Sequence, residues 1–404
     1  MRKKGNSVQI WMAVIFSLLV VEYAHADFIG DTVKPFASLT GMYDSNIFRV
    51  RDKDELRAIT GGDSRMGDYI AVLSVGTDFH YMISRQELNL MLKKEFMRYE
   101  HYSSQNSSAD QATGNIALAV VDRLKINLLG SYTKRPVSRQ DYQSTGLNKI
   151  TDITGGIIVS YEMPAGFEIA GSYRKEKVSY SLPVFNANEY SVDQYAGTLT
   201  YKVSTTMNLY STIQREYTRY RDDMVFGGES INNNSTSDSI RFGLSKTFTP
   251  KTTVSAYIGY LERRHREAAQ RDFDGVIGRA EIAYGITAKL GLLVNAERLL
   301  YEEIDQLRTY SVTDSIGAGL TYEITEKTKA RVFDKYYWKN FKNMPGIEAP
   351  KRTDRINELS LGVQWQPTAA ILVDIGYQYV TRRSDIDLLN YNDHIAKASV
   401  AYHF

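Results

Sequence analysis

The stretch Tyr391–Phe404, YNDHIAKASVAYHF, decides the fold of this chain. From Ala396 onward its even positions are all apolar or aromatic, whereas its odd positions include Lys397, Ser399 and His403. Successive side chains of a β-strand point to opposite faces, so this spacing gives the segment one apolar and one polar face. We therefore predict a β-strand that runs to the last residue.

The same period of two recurs along the whole chain. Clear examples are the segments 68–81, 152–163 and 310–324, each with one apolar face and aromatic residues near its ends. Two segments fit less well, because Leu290–Arg308 also has the spacing of an amphipathic helix and Met207–Arg219 alternates weakly. We assign both as strands, since a helix would interrupt the regular succession of strands and connections.

Short and long connections alternate between these strands. The short ones lie near Ser84-Arg85, Asp122-Arg123, Pro164-Ala165-Gly166, Ser204-Thr205, Thr249-Pro250-Lys251, Thr287-Ala288, Glu326-Lys327 and Pro367-Thr368. The long polar segments are 49–66, 103–110, 136–150, 181–190, 220–237, 263–275, 302–309, 340–353 and 382–391. This succession predicts an all-β fold, a closed antiparallel up-and-down barrel of about 18 strands (16–20), with both chain ends on the short-turn side. A soluble β-sandwich or propeller is the alternative, but no blade-like repeat is present.

The first 26 residues predict export from the cytoplasm. Arg2, Lys3 and Lys4 precede the apolar run Val8–Val21, and Ala24-His25-Ala26 has the small-x-small pattern of a cleavage site. This is the organisation of a cleaved signal peptide, which leaves residues 27–404 as one barrel domain. The leader holds three basic residues and one acidic residue, so the remaining chain has equal numbers of each sign and no net charge that would attract nucleic acid.

A polar chain with 29 Tyr and 15 Phe and no Cys is typical of a transmembrane barrel with aromatic girdles and a wet interior. Short periplasmic turns and long extracellular loops then predict location in the bacterial outer membrane, in contact with its lipid. The terminal Phe404 is similar to the insertion signal that the barrel-assembly machinery reads in outer-membrane proteins. We expect this last strand to pair with Pro35–Phe48 and so to close the barrel.

A barrel of this size encloses an aqueous lumen rather than a packed core. If the apolar face points outward, both charge signs face the lumen. The candidate lumen charges are Lys93, Glu95, Asp152, Arg174, Arg241, Arg279, Glu281, Glu297, Arg331, Lys335, Glu358, Asp374 and Lys397. They predict either ordinary ion pairs or a charged track for a polymer. Aromatic residues at strand ends, for which we expect a girdle at headgroup depth rather than a lumen lining, are Tyr43, Tyr69, Tyr161, Tyr322, Trp338 and Trp365.

No pattern of residues predicts catalysis, a cofactor or a metal. Asp78 and His80 share a strand face, yet they lie toward the short-turn end, away from external substrates. No nucleophile elbow, zinc motif or phosphate-binding loop occurs in a suitable context. The run Asp52-Lys53-Asp54-Glu55 lacks the spacing of a calcium loop, so we interpret it as a solvated charge run.

The start of the barrel carries a motif. The stretch Pro35–Arg49, PFASLTGMYDSNIFR, resembles the first strand of the putative β-barrel porin-2 family. The matching positions are Tyr43, Asp44, Asn46, Phe48 and Arg49. The resemblance implies an outer-membrane barrel associated with exopolysaccharide biosynthesis operons, with periplasmic polysaccharide-export proteins as partners. The family has no established catalytic residues to carry over to this sequence.

The sequence leaves three functions to be distinguished. The first is a channel for exopolysaccharide export or surface assembly, as the resemblance implies. The second is a general or solute-specific diffusion porin for small hydrophilic solutes, in which the segment 220–237 is the best candidate for an inward-folded loop that narrows the lumen. The third is a structural or adhesive surface barrel with a plugged lumen.

Overall fold

A computed structural model of the chain describes residues 32–140, 145–226, 229–267, 269–303, 308–343 and 349–404. The expected signal peptide, residues 1–26, lies outside these ranges. The strands are β1 (Val33–Asp44), β2 (Asp68–Ile83), β3 (Gln86–Tyr99), β4 (Ser107–Val121), β5 (Leu124–Pro136), β6 (Lys149–Glu162), β7 (Phe167–Tyr180), β8 (Tyr190–Ser204), β9 (Met207–Tyr220), β10 (Met224–Phe226), β11 (Glu229–Ile231), β12 (Ser235–Thr249), β13 (Thr252–His265), β14 (Phe273–Gly285), β15 (Leu290–Glu302), β16 (Arg308–Thr325), β17 (Thr328–Asn343), β18 (Thr353–Trp365), β19 (Ile371–Ser384) and β20 (Tyr391–His403).

Eighteen of these strands form one closed antiparallel sheet. Each pairs with its neighbours in the chain, β9 pairs with β12, and the short β10–β11 hairpin stands outside the ring. The ring closes where β1 pairs with β20, from Phe36 opposite His403 to Asp44 opposite Ile395. The predicted barrel, its count of about 18 strands and its closing pair are confirmed, and the doubtful segments at 207 and 290 are strands.

The long connections that matter below are L1 (45–67), L2 (100–106), L3 (137–148), L4 (181–189), L5 (221–234) and L6 (266–272). L1 contains the one α-helix of the described chain, α1 (Lys53–Thr60), and short 3-10 turns lie at Ser103–Gln105, Pro164–Gly166, Pro183–Asn188, Ala269–Arg271 and Asp387–Leu389. The Asp52 side chain caps α1 by accepting from the backbone N–H groups of Asp54 and Glu55, and Gly61 ends it with φ of 76°. The expected solvated charge run at 52–55 therefore begins a helix. Within the described residues, no helix is long and apolar enough to span a bilayer.

The apolar face of the sheet points outward. Ile169, Ile213 and Ile258 are 52%, 62% and 63% exposed, which a soluble β-protein would not tolerate around its whole circumference. All six aromatic residues expected in the girdle are exposed on this outer face: Tyr43, Tyr69, Tyr161, Tyr322, Trp338 and Trp365. The opposite face of each strand lines the lumen. A buried apolar cluster lies in the loops, at Ile47, Phe48, Val50, Leu56 and Tyr102.

Candidate functional site: the constriction of the lumen

The described first part of L3, residues 137–140, reaches from β5 across the lumen to the wall formed by β18 and β19. The Gln140 side-chain amide donates to Glu358 Oε1 on β18 at 3.2 Å, and the backbone carbonyl oxygen of Gln140 accepts from Arg382 Nη1 on β19 at 2.9 Å. On the shorter way round the ring, five strands separate β5 from β19. Contacts over this distance cannot follow the wall, so L3 narrows the lumen.

We expected the segment 220–237 to narrow the lumen, but the described contacts of L5 lie at the rim. The Asn232 backbone N–H donates to Glu267 in neighbouring L6 at 3.1 Å, and Asn233 accepts a hydrogen bond from Arg271 of the same loop. Only Tyr220, at the end of β9, belongs to the narrowed region in the described part of that segment. In the described part of the chain, the loop whose contacts cross the lumen is L3.

A chain of contacts through L1 and L2 supports L3. Phe48 of L1 packs edge-on against Tyr102 of L2, with ring centroids 4.9 Å apart. The Arg139 guanidinium of L3 lies over the Phe48 ring at 5.5 Å and donates to the Gln105 side chain of L2. Burial raises the pKa of the Tyr102 phenol to about 12. The three loops thus form one packed layer at the extracellular end of the lumen.

The motif at the start of the barrel holds L1 in this position. Arg49 binds Asp44 at 3.0 Å and Asp393 of β20 at 3.1 Å, and the two carboxylate side chains are 9% and 0% exposed. The Asn46 amide donates to the carbonyl oxygens of Val50 (2.7 Å) and Asn392 (3.1 Å). The motif therefore connects the first strand, L1 and the closing strand.

The remaining motif position, Tyr43, points outward, where its ring lies 4.9 Å from that of Tyr69. The residue of the expected insertion signal, Phe404, is exposed on the same outer face. Its backbone N–H donates to the Pro35 carbonyl at 2.9 Å, and its ring is 4.9 Å from that of Tyr402. The chain end is therefore part of the seam between the first and last strands.

Below L3, a cavity of about 400 Å³ occupies the lumen. Its walls come from opposite sides of the barrel, since β7 and β18 are nine positions apart in the ring of 18. Five tyrosines line it together with Gln140 and Asn188: Tyr180, Tyr190, Tyr220, Tyr301 and Tyr337. Tyr190 and Tyr220 form a tilted pair with ring centroids 5.7 Å apart. The cavity beneath L3 is thus lined largely by phenol rings.

Carboxylates are the second component of the cavity lining. Glu302 accepts from the Tyr220 hydroxyl at 3.1 Å and pairs with Arg263. Glu358 accepts from the Tyr337 hydroxyl at 3.2 Å on one oxygen and from Gln140 on the other. Of the cavity-lining residues Lys339 is the one cation, with its Nζ 3.5 Å from Glu303. The cavity therefore presents aromatic faces, carboxylate acceptors and amide groups together.

Most of the candidate lumen charges meet an opposite charge on the inner face. The pairs are Lys93–Glu95 (2.7 Å), Arg174–Glu176 (2.5 Å), Arg279–Glu281 (3.3 Å) and Lys335–Glu297 (3.6 Å), and Asp374 lies between Arg331 (2.7 Å) and Lys397 (3.9 Å). Arg241 lies over the Tyr257 ring at 5.7 Å, and Asp152 accepts from Thr154. Among these candidates Glu358 alone lines the constriction. The arrangement is one of local pairs rather than of one continuous track.

The fold does not bring Asp78 and His80 into contact, and it does not assemble a metal site from the described residues. His80 Nδ1 lies 2.6 Å from the Asn89 side chain and 3.7 Å from Glu87, not against Asp78. Among the described residues, no group of three or more His, Asp or Glu side chains is arranged to hold a metal ion.

The five cavity tyrosines were not identified from the sequence. Three of them, Tyr180, Tyr190 and Tyr220, stand directly beside long connections, where we expected girdle residues. The sequence did contain a signal for them. In the period-two pattern of its strand, each tyrosine occupies one of the alternate positions that face the lumen, as Tyr190 does opposite Tyr220.

Comparisons with known proteins agree with this architecture. OccK3 (OpdO) from Pseudomonas aeruginosa aligns with a TM-score of 0.50 at 10% identity, covering 92% of this chain and 95% of that one, which shows a common fold. The outer membrane protein OpdK from the same organism aligns with a TM-score of 0.49 at 11% identity, over 92% and 99% of the two chains. A comparison with curated protein sequences found no significant match.

The solved structures show the fold, whereas a family model shows the family to which the chain belongs. The model described as "Putative beta-barrel porin 2" matches residues 29–404, which include the opening motif, every strand and the closing strand. The chain is an outer-membrane, porin-like β-barrel, and it belongs to this family.

Proposed function

We propose that this barrel is a glycan channel of the outer membrane that serves exopolysaccharide export or surface assembly. The observation that carries the proposal is the tyrosine-lined constriction beneath L3. Sugar rings have apolar faces and hydroxyl edges. Phenol rings such as Tyr301 and Tyr337 offer flat apolar surfaces for the former, and Glu358 and Gln140 offer hydrogen-bond partners for the latter.

Transport of a polymer through this site requires L3 to move. Its described connections to the far wall are polar: Gln140 with Glu358 and Gln140 with Arg382. Such hydrogen bonds contribute about 1.5–3 kcal/mol each when a charged group takes part, so a few of them can be exchanged for hydrogen bonds to sugar hydroxyls. In this mechanism the incoming glycan replaces the contacts that hold L3 across the lumen.

A diffusion porin for small hydrophilic solutes is the second candidate. The observation that favours it is the cavity beneath L3, whose volume of about 400 Å³ holds a small solute without movement of the loop. In that case L3 stays in place, and the paired lumen charges act as a weakly selective lining.

Single-channel conductance of the purified barrel in a planar bilayer distinguishes these functions. A glycan channel predicts low ion conductance that neutral oligosaccharides block in a concentration-dependent way. The double variant Tyr301→Ala, Tyr337→Ala should weaken the block, whereas Tyr43→Ala on the outer face should not.

High conductance that oligosaccharides leave unchanged would refute the glycan channel in favour of a porin. No conductance, with or without glycan, would refute both and would favour the structural or adhesive barrel.

A further inference from the structure

The outer wall formed by β7, β8 and β9 carries an apolar groove whose floor has no side chains. Gly171 and Gly197 are register partners, flanked by Val159 on one side and Ile213 on the other. The groove has a volume of about 670 Å³. It adjoins a second groove of about 740 Å³ that shares both glycines and reaches the charged residues Arg215, Asp238 and Glu262 at its far end. Outward residues beside the glycines, such as Ile169 and Leu199, form the sides of the groove.

A cluster of cations lies above this groove, in the half of each strand nearer the extracellular loops. Asp193 is buried at 6% exposure and contacts Lys175 Nζ at 3.6 Å and Arg219 Nη1 at 2.9 Å. Those two side chains are 59% and 61% exposed, and Lys177 lies in the same cross-strand row as Arg219. One carboxylate therefore orients two cations beside a third, and the cluster has an excess of positive charge that faces the membrane surface.

Aromatic rings separate the cations from the groove. Tyr173 and Tyr195 are register partners with ring centroids 5.1 Å apart, and the Tyr173 hydroxyl donates to Asp193 at 2.7 Å. Tyrosine at such a position marks the headgroup level of a membrane protein. From the membrane interior outward, the wall thus presents an open apolar groove, an aromatic row and a cationic cluster.

We propose that this wall is a binding site for a phosphorylated glycolipid of the outer leaflet, of the lipid A type. Its acyl chain occupies the groove over Gly171 and Gly197, and its phosphate groups bind Lys175, Lys177 and Arg219. The order of apolar, aromatic and cationic surface matches the order of acyl chain, headgroup boundary and phosphate in such a lipid. Arg219 and the lysines suit phosphate because they supply several N–H donors with full positive charge. The site is on the outside of the barrel and does not depend on what passes through the lumen.

The proposal is tested by native mass spectrometry of the delipidated full chain, refolded in detergent and titrated with bisphosphorylated lipid A. We expect one tightly retained lipid. The triple variant Lys175→Gln, Lys177→Gln, Arg219→Gln should bind on the order of tenfold to 100-fold more weakly, because each cation near an anionic lipid surface contributes roughly a factor of five. Heat-modifiable migration on a denaturing gel checks that each variant still forms the barrel.

The matched control removes three exposed cations from the outer face of β17, β18 and β19, far from β7–β9 in the ring, as Lys342→Gln, Arg355→Gln and Arg383→Gln. It should leave binding within about twofold. Gly171→Leu has open space around its Cβ and should weaken binding by filling the groove. Inorganic phosphate at equal concentration should not compete. Equal binding of lipid A with and without its phosphates, equal loss in both triple variants, or unchanged binding in Gly171→Leu would overturn the proposal.

Discussion

Replacing Arg49 by alanine tests how L1 is held over the lumen. The guanidinium is 12% exposed and binds Asp44 and Asp393, whose side chains are 9% and 0% exposed. Without it, two buried carboxylates face each other, and removal of one partner from such a buried group costs about 3–5 kcal/mol. Two hydrogen bonds to these carboxylates remain, from the Asn46 backbone N–H to Asp44 and from the Ser45 hydroxyl to Asp393. We therefore expect a destabilisation at the lower end of this range, about 3 kcal/mol.

The barrel strands retain their own pairing, so the loss should appear as local opening of L1. About 3 kcal/mol corresponds to backbone amide exchange that is faster by a factor of about 100 or more. Hydrogen–deuterium exchange of the barrel in nanodiscs measures this directly, with β4 and β5 as internal references. Adding Asp393→Asn to the variant should restore part of the protection, because one of the two opposed charges is then removed.

The control is Arg57→Ala, which removes an exposed pair between Arg57 and Asp54. Its effect on exchange in L1 should be small, as for most surface ion pairs. If Arg49→Ala left exchange in L1 unchanged, or changed it no more than Arg57→Ala does, the reasoning about the seam would be wrong.

Three further predictions concern other parts of the molecule. Tyr337→Ala should weaken oligosaccharide block of the channel roughly three- to tenfold in bilayer recordings, because an aromatic contact contributes about 0.5–1.5 kcal/mol, and an equal block in the variant would count against stacking. In L1, hydrogen bonds from the Arg65 backbone N–H and the His101 ring lower the pKa of Asp63, so its contribution to loop stability is present above about pH 4 and is lost as the pH falls through the lowered pKa. Carboxyl NMR titration should show that His101→Gln raises the pKa of Asp63 toward its ordinary value, and an unchanged pKa would contradict this contact. Phe404→Ser should reduce the amount of heat-modifiable barrel in outer-membrane fractions. Normal assembly of this variant would show that Phe404 is not an insertion signal.

The strands could be predicted because a bilayer imposes one rule on all of them. Lipid requires an apolar outer face and a closed sheet, so a period of two and the alternation of turn and loop lengths carry most of the fold. The same rule placed Lys93 beside Glu95 and Tyr161 on the outer face. It held even for Leu290–Glu302, where the sequence also has helical spacing.

The constriction could not be predicted in the same way. The position of L3 depends on contacts between residues far apart in the chain, such as Gln140 and Arg382, and no local pattern encodes them. A tyrosine beside a long loop has the same local signature whether it belongs to the girdle or, like Tyr190, to the lumen. Helix α1 did have a local signal, since Asp52 and Glu55 have capping-box spacing before Gly61.

The central claim is that cargo passes beneath L3 through the tyrosine-lined constriction, and a reversible cross-link tests it most directly. The chain has no cysteine, so Gln140→Cys and Glu358→Cys introduce the only two thiols, at side chains that are in hydrogen-bond contact. A short, reducible thiol cross-linker should then fix L3 across the lumen. Proteoliposomes should lose glycan permeation after cross-linking and regain it after reduction, whereas the cross-linker should not change the permeation of either single-cysteine variant. Glycan permeation that is the same before and after a demonstrated cross-link would contradict the account.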